Sequence, residues 1–203
     1  MYLKCFVHQI YKLLILKNSK HKIKNKSIHL YSFIKKKAFK EAAFFVARTI
    51  PSRIEYNTKE IITHENNTVF AFKYEDNICP IVIATDDYPE RVAFYMINEI
   101  YRDFISTIPK EEWSSVKQDN KISFNLYTYL TKYKDPLNCD AITQTNIKIN
   151  ENIEKVRVTM DALIRNRENL DVLVDKSKDL SSTTKQLFKQ SKKLKKKQCC
   201  SIM

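Results

Sequence analysis

Glycine is absent from all 203 residues of this sequence. Phosphate-cradling loops, dinucleotide-binding fingerprints and the nucleophile elbow all need glycine at fixed positions, so these sites are excluded. A small GTPase is excluded for the same reason. Long apolar runs are also missing: no stretch reaches the roughly eighteen apolar residues that a membrane-spanning helix requires.

Acidic residues are missing from residues 1–40. A transit peptide has this property, but the same stretch has no arginine and contains many strand-forming apolar residues, so an ordinary basic strand or two over residues 2–16 is preferred. Residues 17–27 are basic and polar and predict an exposed extra loop. Tyr2 follows Met1, which excludes N-myristoylation.

The five cysteines are an odd number and show no metal-ligand spacing. Cys5, Cys79 and Cys139 are isolated, whereas Cys199 and Cys200 are adjacent at the terminus. This pattern favours a reducing compartment and argues against a disulfide framework.

The formal charge of +13 predicts an anionic partner, either nucleic acid or the cytoplasmic leaflet of a membrane. Lysine, asparagine and isoleucine are frequent throughout, so part of this charge reflects composition, and its clustering is more informative. With 43% hydrophobic residues, including 11 Phe and 11 Tyr, the chain can fill a folded core.

No catalytic constellation is visible, so we expect no enzyme activity, metal or cofactor. The four histidines are scattered without ligand spacing: His8, His21, His29 and His64. Cys79 lies in an apolar strand, where an inert buried thiol is favoured over a nucleophile. Asp86 and Asp87 resemble an acid-base pair, but capping of the following helix is the better explanation.

Residues 1–136 predict one α+β domain in which helices pack on an antiparallel sheet. After the strands in residues 2–16, the predicted elements are a strand Ile28–Ile34, a helix 35–50, strands Glu60–His64, Val69–Tyr74 and Ile78–Thr85, a helix from Asp86 or Asp87 to Ile108, and a short helical or irregular segment 124–133. The strand Ile78–Thr85 is apolar on both faces and predicts a central position. Asn66-Asn67 and Asp76-Asn77 supply turns in place of glycine.

A heptad pattern predicts one proline-free helix from Ile142 to Leu194, roughly 78 Å long. One column of the seam is Ile142, Ile149, Val156, Leu163 and Leu170, continuing with Ser177, Thr184 and Ser191. The other column is Thr145, Asn152, Thr159 and Asn166, continuing with Leu173, Leu180, Leu187 and Leu194. Because each half of the seam is apolar on one column and polar on the other, the helix is suited to unlike partner helices rather than to a zipper with itself.

The sequence ends Cys200-Ser201-Ile202-Met203, which fits a C-terminal prenylation signal, and a final Met favours farnesyl. A single prenyl chain binds membranes only marginally. Two supplements are present: a second lipid on Cys199, and electrostatic attraction of a lysine cluster to an anionic leaflet. The cluster comprises Lys185, Lys189, Lys192, Lys193, Lys195, Lys196 and Lys197.

Together these features resemble the prenylated longin-domain SNARE proteins of the R class. Residues 156–194 are similar to the SNARE motif, most plainly at Met160-Asp161-Ala162-Leu163-Ile164 and Leu173-Val174-Asp175-Lys176-Ser177, and Asp87-Tyr88-Pro89-Glu90 resembles the start of the second longin helix. The resemblance implies a profilin-like longin domain over 1–136, an antiparallel sheet with helices on both faces, followed by a SNARE coiled-coil motif with a polybasic end over 140–197 and a lipidation signal over 198–203.

The implied function is vesicular transport, in which one helix enters a four-helix bundle with glutamine-class SNARE proteins and drives membrane fusion. The longin domain is expected to fold back on the SNARE helix and lipid. Further partners implied are a prenyltransferase for Cys200, an acyltransferase for Cys199 and an anionic membrane surface. The expected location is the cytoplasm and the cytoplasmic faces of Golgi, endosomal or other vesicle membranes.

One position departs from the family pattern. The central layer of the bundle, where the R class has arginine, falls on Asn166, flanked by Arg165 and Arg167. Starting the layers from either arginine would bury charged residues, so the hydrophobic pattern keeps Asn166 at the centre. A non-fusogenic, regulatory SNARE-like protein is therefore the main alternative. Nucleic-acid binding is not expected, because no basic face carries interleaved aromatic residues.

Overall fold

The computed structural model describes residues 27–64, 66–114, 124–136, 139, 153–165 and 170–186, with side chains described from residue 37 onwards and not at Arg165. The predicted strands over residues 2–16 and residues 17–26 of the predicted loop 17–27 lie outside this range, and Ser27 is the first residue of a helix.

The described elements are a long helix, three strands, three helices, a fourth strand and two short helices. Helix α1 spans Ser27–Thr49 and continues into a 3-10 turn at Ile50–Ser52; then follow β1 Lys59–His64, β2 Asn67–Phe72, β3 Ile81–Thr85, α2 Glu90–Thr107, α3 Lys110–Ser114, α4 Tyr127–Lys132, β4 Lys155–Thr159, α5 Met160–Arg165 and α6 Leu170–Lys176. Residues 182–186 form a last helical turn. The three predicted strands, the helix ending near Ile108 and the short helix within 124–133 are confirmed.

The predicted strand Ile28–Ile34 is wrong, because these residues form the first turns of α1. Ile28, Tyr31 and Ile34 repeat at three-residue steps, which a helix also satisfies. The alanine-containing stretch that follows favours helix and extends it towards the N-terminus.

The four described strands are ordered β3-β2-β1-β4. β1 and β2 pair antiparallel, as do β2 and β3, whereas β4 pairs parallel with β1. The purely antiparallel sheet that the sequence predicts is therefore extended to a mixed sheet by a strand from the C-terminal region. In this order β3 has one described neighbour, β2, and its residues Ile81–Ala84 are buried on both faces.

Asparagine replaces glycine in the tight turn before β3, as expected. Asn77 has a φ of 67°, in the left-handed region where asparagine is tolerated. The Ile78 amide donates to Asp76 Oδ1 at 3.0 Å, and the Asn77 amide donates to the Tyr74 carbonyl at 3.0 Å. The turn is thus built without glycine by an Asx-type hydrogen bond.

Alternating side chains of the sheet fill two separate apolar clusters, one on each face. On the first face, here called the α2 face, Ile61, Phe70 and Val82 pack against α2. The predicted apolar stripe of that helix is confirmed, since all five members are buried: Val92, Met96, Ile100, Phe104 and Ile108. On the opposite α1 face, Ile62 and Val69 belong to a cluster with α1 and the 3-10 turn.

Neither aspartate caps α2, so the predicted capping role of Asp86 and Asp87 is wrong. The N-cap is Pro89, with no side-chain hydrogen bond to the helix. Tyr88 and Pro89 separate the aspartates from the first helical turn, and Asp86 Oδ1 instead accepts a hydrogen bond from Thr68 Oγ1 at 2.8 Å.

A continuous helix from Ile142 to Leu194 is also wrong in this conformation. Residues 155–159 are a strand, and α5 and α6 are short helices. Val156 and Val158 alternate with polar residues and are β-branched, which suits a strand as well as a heptad. In this conformation Val158 packs against an apolar cluster of the chain's own domain.

Candidate functional site: the surface where the C-terminal segment folds back

The C-terminal segment, residues 153–165 and 170–186, packs on the domain formed by the preceding elements. Its first contact is the β1–β4 ladder, in which Glu60 pairs with Val156 and Ile62 with Val158. The Lys59 amide donates to the Glu154 carbonyl at 2.9 Å. Strand β4 therefore covers one edge of the domain's sheet.

The strand is two-sided. Val158 packs against the α1-face cluster, while Lys155, Arg157 and Thr159 are exposed. Arg157 forms a salt bridge with Glu90, the first residue of α2. Thr159 ends the strand and accepts, through Oγ1, a hydrogen bond from the Ala162 amide at 3.2 Å. That bond satisfies one free amide at the start of α5.

Apolar side chains of α5, α6 and the residues after them complete the α1-face cluster. The segment contributes six buried residues, namely Met160, Leu163, Ile164, Leu170, Val174 and Leu180. They join Val46, Ile50 and Ile54 from the α1 side and Ile62 from the sheet. Ile164 is 0% exposed and Val174 is 2% exposed. These side chains are shielded from water as fully as the domain's own core.

A polar cluster secures the far end of the segment to α1. Glu41 Oε2 accepts three hydrogen bonds, from the Ser181 amide at 2.8 Å, from Ser181 Oγ at 2.7 Å and from Thr184 Oγ1 at 2.6 Å. Burial alone would raise the pKa of Glu41, but the bonds from Thr184 and Ser181, with the nearby Lys37, outweigh it and hold that pKa below 4.5. The carboxylate is thus ionised and strongly bonded.

A salt bridge lies two helical turns further along α1. Arg48 pairs with Asp179 of the segment. Within the segment, Lys185 Nζ donates to the Asp175 carbonyl at 2.6 Å. Because Glu41 and Arg48 are seven residues apart on α1, they lie on the same side of the helix and align the segment along it.

Five apolar residues of the predicted SNARE seam fall on this interface, together with Thr184, which bonds to Glu41. Leu163, Leu170 and Leu180 are buried in the cluster, Leu173 packs partly against it, and Val156 is half-buried in β4. The structure therefore gathers the described apolar seam residues against the domain.

Other predicted site residues lie outside the described range. They are the seam residues Ile142, Ile149, Leu187 and Leu194, the central-layer residues Asn166 and Arg167, the lipidation candidates Cys199 and Cys200, and Lys189, Lys192, Lys193, Lys195, Lys196 and Lys197. Arg165 is the last residue of α5.

Several interface residues were missed at the sequence level. Glu41 carried no signal, because its role depends on Ser181 and Thr184, far away in the chain. Met160, Ile164 and Val174 stand outside the two seam columns and so received no role. Apolar residues at outward heptad positions are a signal of a second packing surface, and Ile164 gives it most clearly.

The remaining candidates for chemistry are structural. Burial raises the pKa of the Cys79 thiol to about 12, so the thiol stays protonated and inert, as preferred from the sequence. Within the described residues, no group of three or more His, Cys, Asp or Glu side chains is placed to hold a metal ion. Among the same residues, no helix combines the length and apolarity needed to cross a membrane.

Comparison with known proteins gives matches over both parts of the chain. Residues 29–130 match the Longin family, described as a regulated-SNARE-like domain, and residues 139–203 match the Synaptobrevin family. The synaptobrevin homolog YKT6 of Saccharomyces cerevisiae is 31% identical over 180 residues, which cover 88% of this chain and 89% of that protein.

Two further relatives match to a similar extent. The synaptobrevin homolog YKT6 of Yarrowia lipolytica is 30% identical over 175 residues, covering 85% of this chain and 86% of that protein. The VAMP-like protein YKT61 of Arabidopsis thaliana is 29% identical over 174 residues, 85% of each chain.

Proposed function

The chain belongs to the longin-domain, synaptobrevin-like family of SNARE proteins, and on this premise we propose that it is a lipid-anchored R-class SNARE whose folded-back conformation is an inhibited state. Proteins of this family act in vesicular trafficking and are not enzymes. In the closed form the C-terminal segment lies on the longin domain. In the open form it joins a four-helix bundle with glutamine-class SNARE helices and drives membrane fusion.

Ile164 is the observation that carries this proposal. In the heptad pattern it follows Leu163 directly and faces away from the bundle seam. In the closed form it is 0% exposed. An apolar residue at that position is explained by packing on the longin domain and not by packing in the bundle.

Closure and bundle assembly use the same leucines, so they exclude each other. Leu163, Leu170 and Leu180 are buried in the α1-face cluster, and the bundle would bury the same side chains in its layers. Exposing one buried leucine to water costs about 1.5–3 kcal/mol. The open form is therefore stabilised only when partner helices cover these side chains again.

Membrane attachment is proposed to come from the C-terminus. A prenyl group on Cys200 and a second lipid on Cys199 would be supplied by a prenyltransferase and an acyltransferase. The lysine cluster that runs to Lys197 adds attraction to an anionic leaflet, up to about 1 kcal/mol for each lysine. On this basis we place the protein in the cytoplasm when closed and on Golgi, endosomal or other vesicle membranes when open.

Ile164→Asp in the full-length lipidated chain tests the closed state without altering a bundle layer. A buried carboxylate would destabilise the closed form, so we expect a larger membrane-bound fraction and faster lipid mixing with liposomes bearing glutamine-class SNAREs. Val172→Asp is the matched control, since Val172 lies on α6 and is 41% exposed. Equal membrane binding and lipid mixing by Ile164→Asp and Val172→Asp would contradict the proposal.

A non-fusogenic regulatory role is the second candidate, and Asn166 at the central layer favours it. Asparagine can bond to glutamine amides but lacks the charge and length of arginine. We propose that bundles still assemble with Asn166, with a weaker or altered central layer. Thermal melts of reconstituted bundles with Asn166 or Asn166→Arg measure this difference in stability. In a liposome fusion assay, complexes that form but mix no lipid would support the regulatory role. Failure of the Asn166 chain to assemble with every glutamine-class set would exclude both roles.

A further inference from the structure

Glu60 is the one charged residue that is buried within the described part of the chain. It lies on β1, is 4% exposed, and its Oε2 atom has no hydrogen-bond partner. Removing an ionised carboxylate from water without compensating bonds is costly. The residue therefore opposes the packing that buries it.

Strand β4 is part of what surrounds Glu60. The ladder places Val156 of β4 on one side of Glu60 and Ala71 of β2 on the other. Since Ile62, two residues along β1, belongs to the α1-face cluster, strand alternation puts Glu60 on that same face. Docking of the segment thus adds an apolar neighbour to a carboxylate that already lies beside an apolar sheet.

The charges that act on Glu60 are mostly of its own sign. Glu55, in the loop before β1, and Glu154, from the C-terminal segment, both repel an ionised Glu60. On the side of β3, Glu60 acts electrostatically on the neutral thiol of Cys79, and so does the ammonium of Lys73. That ammonium lies 4.1 Å from the centre of the Tyr56 ring. Glu154 comes close only when the segment folds back, so closure brings a second like charge to the site.

We propose that ionised Glu60 destabilises the closed form and keeps the C-terminal segment releasable, so that removing its charge by protonation or substitution holds the segment on the domain. This inference rests on the proposed closed state. Glu60, a residue of the longin domain, would thus oppose the contact through which that domain holds the C-terminal segment.

The direction of the pH dependence follows from the same contacts. Burial, with repulsion from Glu55 and Glu154, raises the pKa of Glu60 above 4.5 in the closed form. Part of this burial and the charge of Glu154 come from the docked segment, so the closed form binds this proton more tightly than the open form. The proton-linked stabilisation of closure is fully present below the pKa that Glu60 has in the open form and is lost as pH rises through its higher pKa in the closed form.

Hydrogen exchange of the full-length chain, at pH 5.5 and pH 7.5 and corrected for intrinsic rates, measures the opening of β4. We expect Glu60→Gln to increase protection of residues 155–159 at pH 7.5, about tenfold for each pH unit by which closure raises the pKa of Glu60. We also expect it to abolish the gain in protection that the unsubstituted chain shows at pH 5.5. Unchanged or lower protection in Glu60→Gln at pH 7.5 would overturn the proposal.

Three further variants separate the possible causes. Glu154→Gln should raise protection in the same direction by a smaller factor, and if Glu60→Gln does not fold, an unchanged Glu154→Gln would overturn the proposal. Glu111→Gln, at an exposed position on α3, should leave the protection of residues 155–159 unchanged, and a gain equal to that of Glu60→Gln would also overturn the proposal.

Ile164→Asp tests the closed state itself. If Ile164→Asp leaves protection intact, the closed state is wrong. If Ile164→Asp abolishes protection while Glu60→Gln behaves like the unsubstituted chain, only the role of Glu60 fails.

Discussion

The two faces of the sheet are buried to a similar degree, but they are completed in different ways. On the α2 face every buried residue lies between Ile61 and Cys139, and the C-terminal segment adds only the partly buried Ile153. On the α1 face, six of the buried residues come from the C-terminal segment, between Met160 and Leu180. The α2 face is therefore a permanent core, whereas the α1 face is complete only while the segment stays in place.

The polar contacts show the same difference. The α2 face is secured by bonds within the domain, such as Tyr88 Oη donating to the Tyr133 carbonyl at 3.0 Å. The α1 face is secured by Glu41 and Arg48, whose partners Ser181, Thr184 and Asp179 all belong to the segment. Release of the segment would break both of these contacts and expose apolar surface together.

The largest expected effect is Phe70→Ala on the α2 face. Phe70 is 1% exposed and packs edge-on against Phe94, with 5.7 Å between ring centres. The cavity should lower the free energy of unfolding by about 3–5 kcal/mol. Denaturant unfolding followed by the fluorescence of Trp113, the single tryptophan, reports on this face because Trp113 lies in the same cluster.

Ile164→Asp should separate the two faces in the same experiment. It removes contacts of the α1 face only, so the Trp113 transition should move much less than in Phe70→Ala, while hydrogen exchange over residues 153–186 accelerates. A Trp113 transition shifted as far as in Phe70→Ala would mean that the two faces unfold as one unit, contrary to the comparison.

A smaller effect is expected from Glu41→Gln. The substitution keeps an acceptor but removes the charge that strengthens three hydrogen bonds, so closure should weaken by about 1–2 kcal/mol. Faster exchange over residues 177–186, with an unchanged Trp113 transition, is the expected result. Unaltered exchange there would show that the Glu41 contacts add nothing to closure.

Glu41 and Glu60 should also respond to acid in opposite directions. The pKa of Glu41 is lowered, so its contribution to closure is present above pH 4.5 and is lost as pH falls through its depressed pKa. The pKa of Glu60 is raised, so its protonation favours closure on the acid side. Glu41→Gln should therefore remove part of the acid-induced opening, and exchange over residues 177–186 measured down to about pH 3 checks this.

The sequence predicted the α2 face well, because its signals are local. The stripe from Val92 to Ile108 and the short strands with asparagine turns can be recognised without knowing what they pack against. The resemblance to prenylated R-class proteins likewise came from short contiguous motifs, and the part of it that is confirmed is the longin-domain, synaptobrevin-like family.

The α1 face could be predicted only in part. The leucines of the seam were identified, but a heptad pattern does not tell whether they pack on partner helices or on the chain's own domain. Val156 and Val158 fit a strand and a helix equally well. Whether residues 155–159 form a strand therefore depends on their pairing with the edge of β1, which the local sequence does not reveal. The buried position of Glu60 had no local signal, whereas Ile164 had one in its outward heptad position, which does not say what covers it.

The most direct test of a closed form that competes with bundle assembly is the rate at which the full-length chain assembles with glutamine-class SNARE helices. Ile164→Asp should assemble at least about tenfold faster than the unsubstituted chain, because release of the segment is no longer limiting. The finished bundles should melt at the same temperature, since Ile164 faces away from their layers. Equal assembly rates for the two chains would contradict the competition between closure and bundle formation.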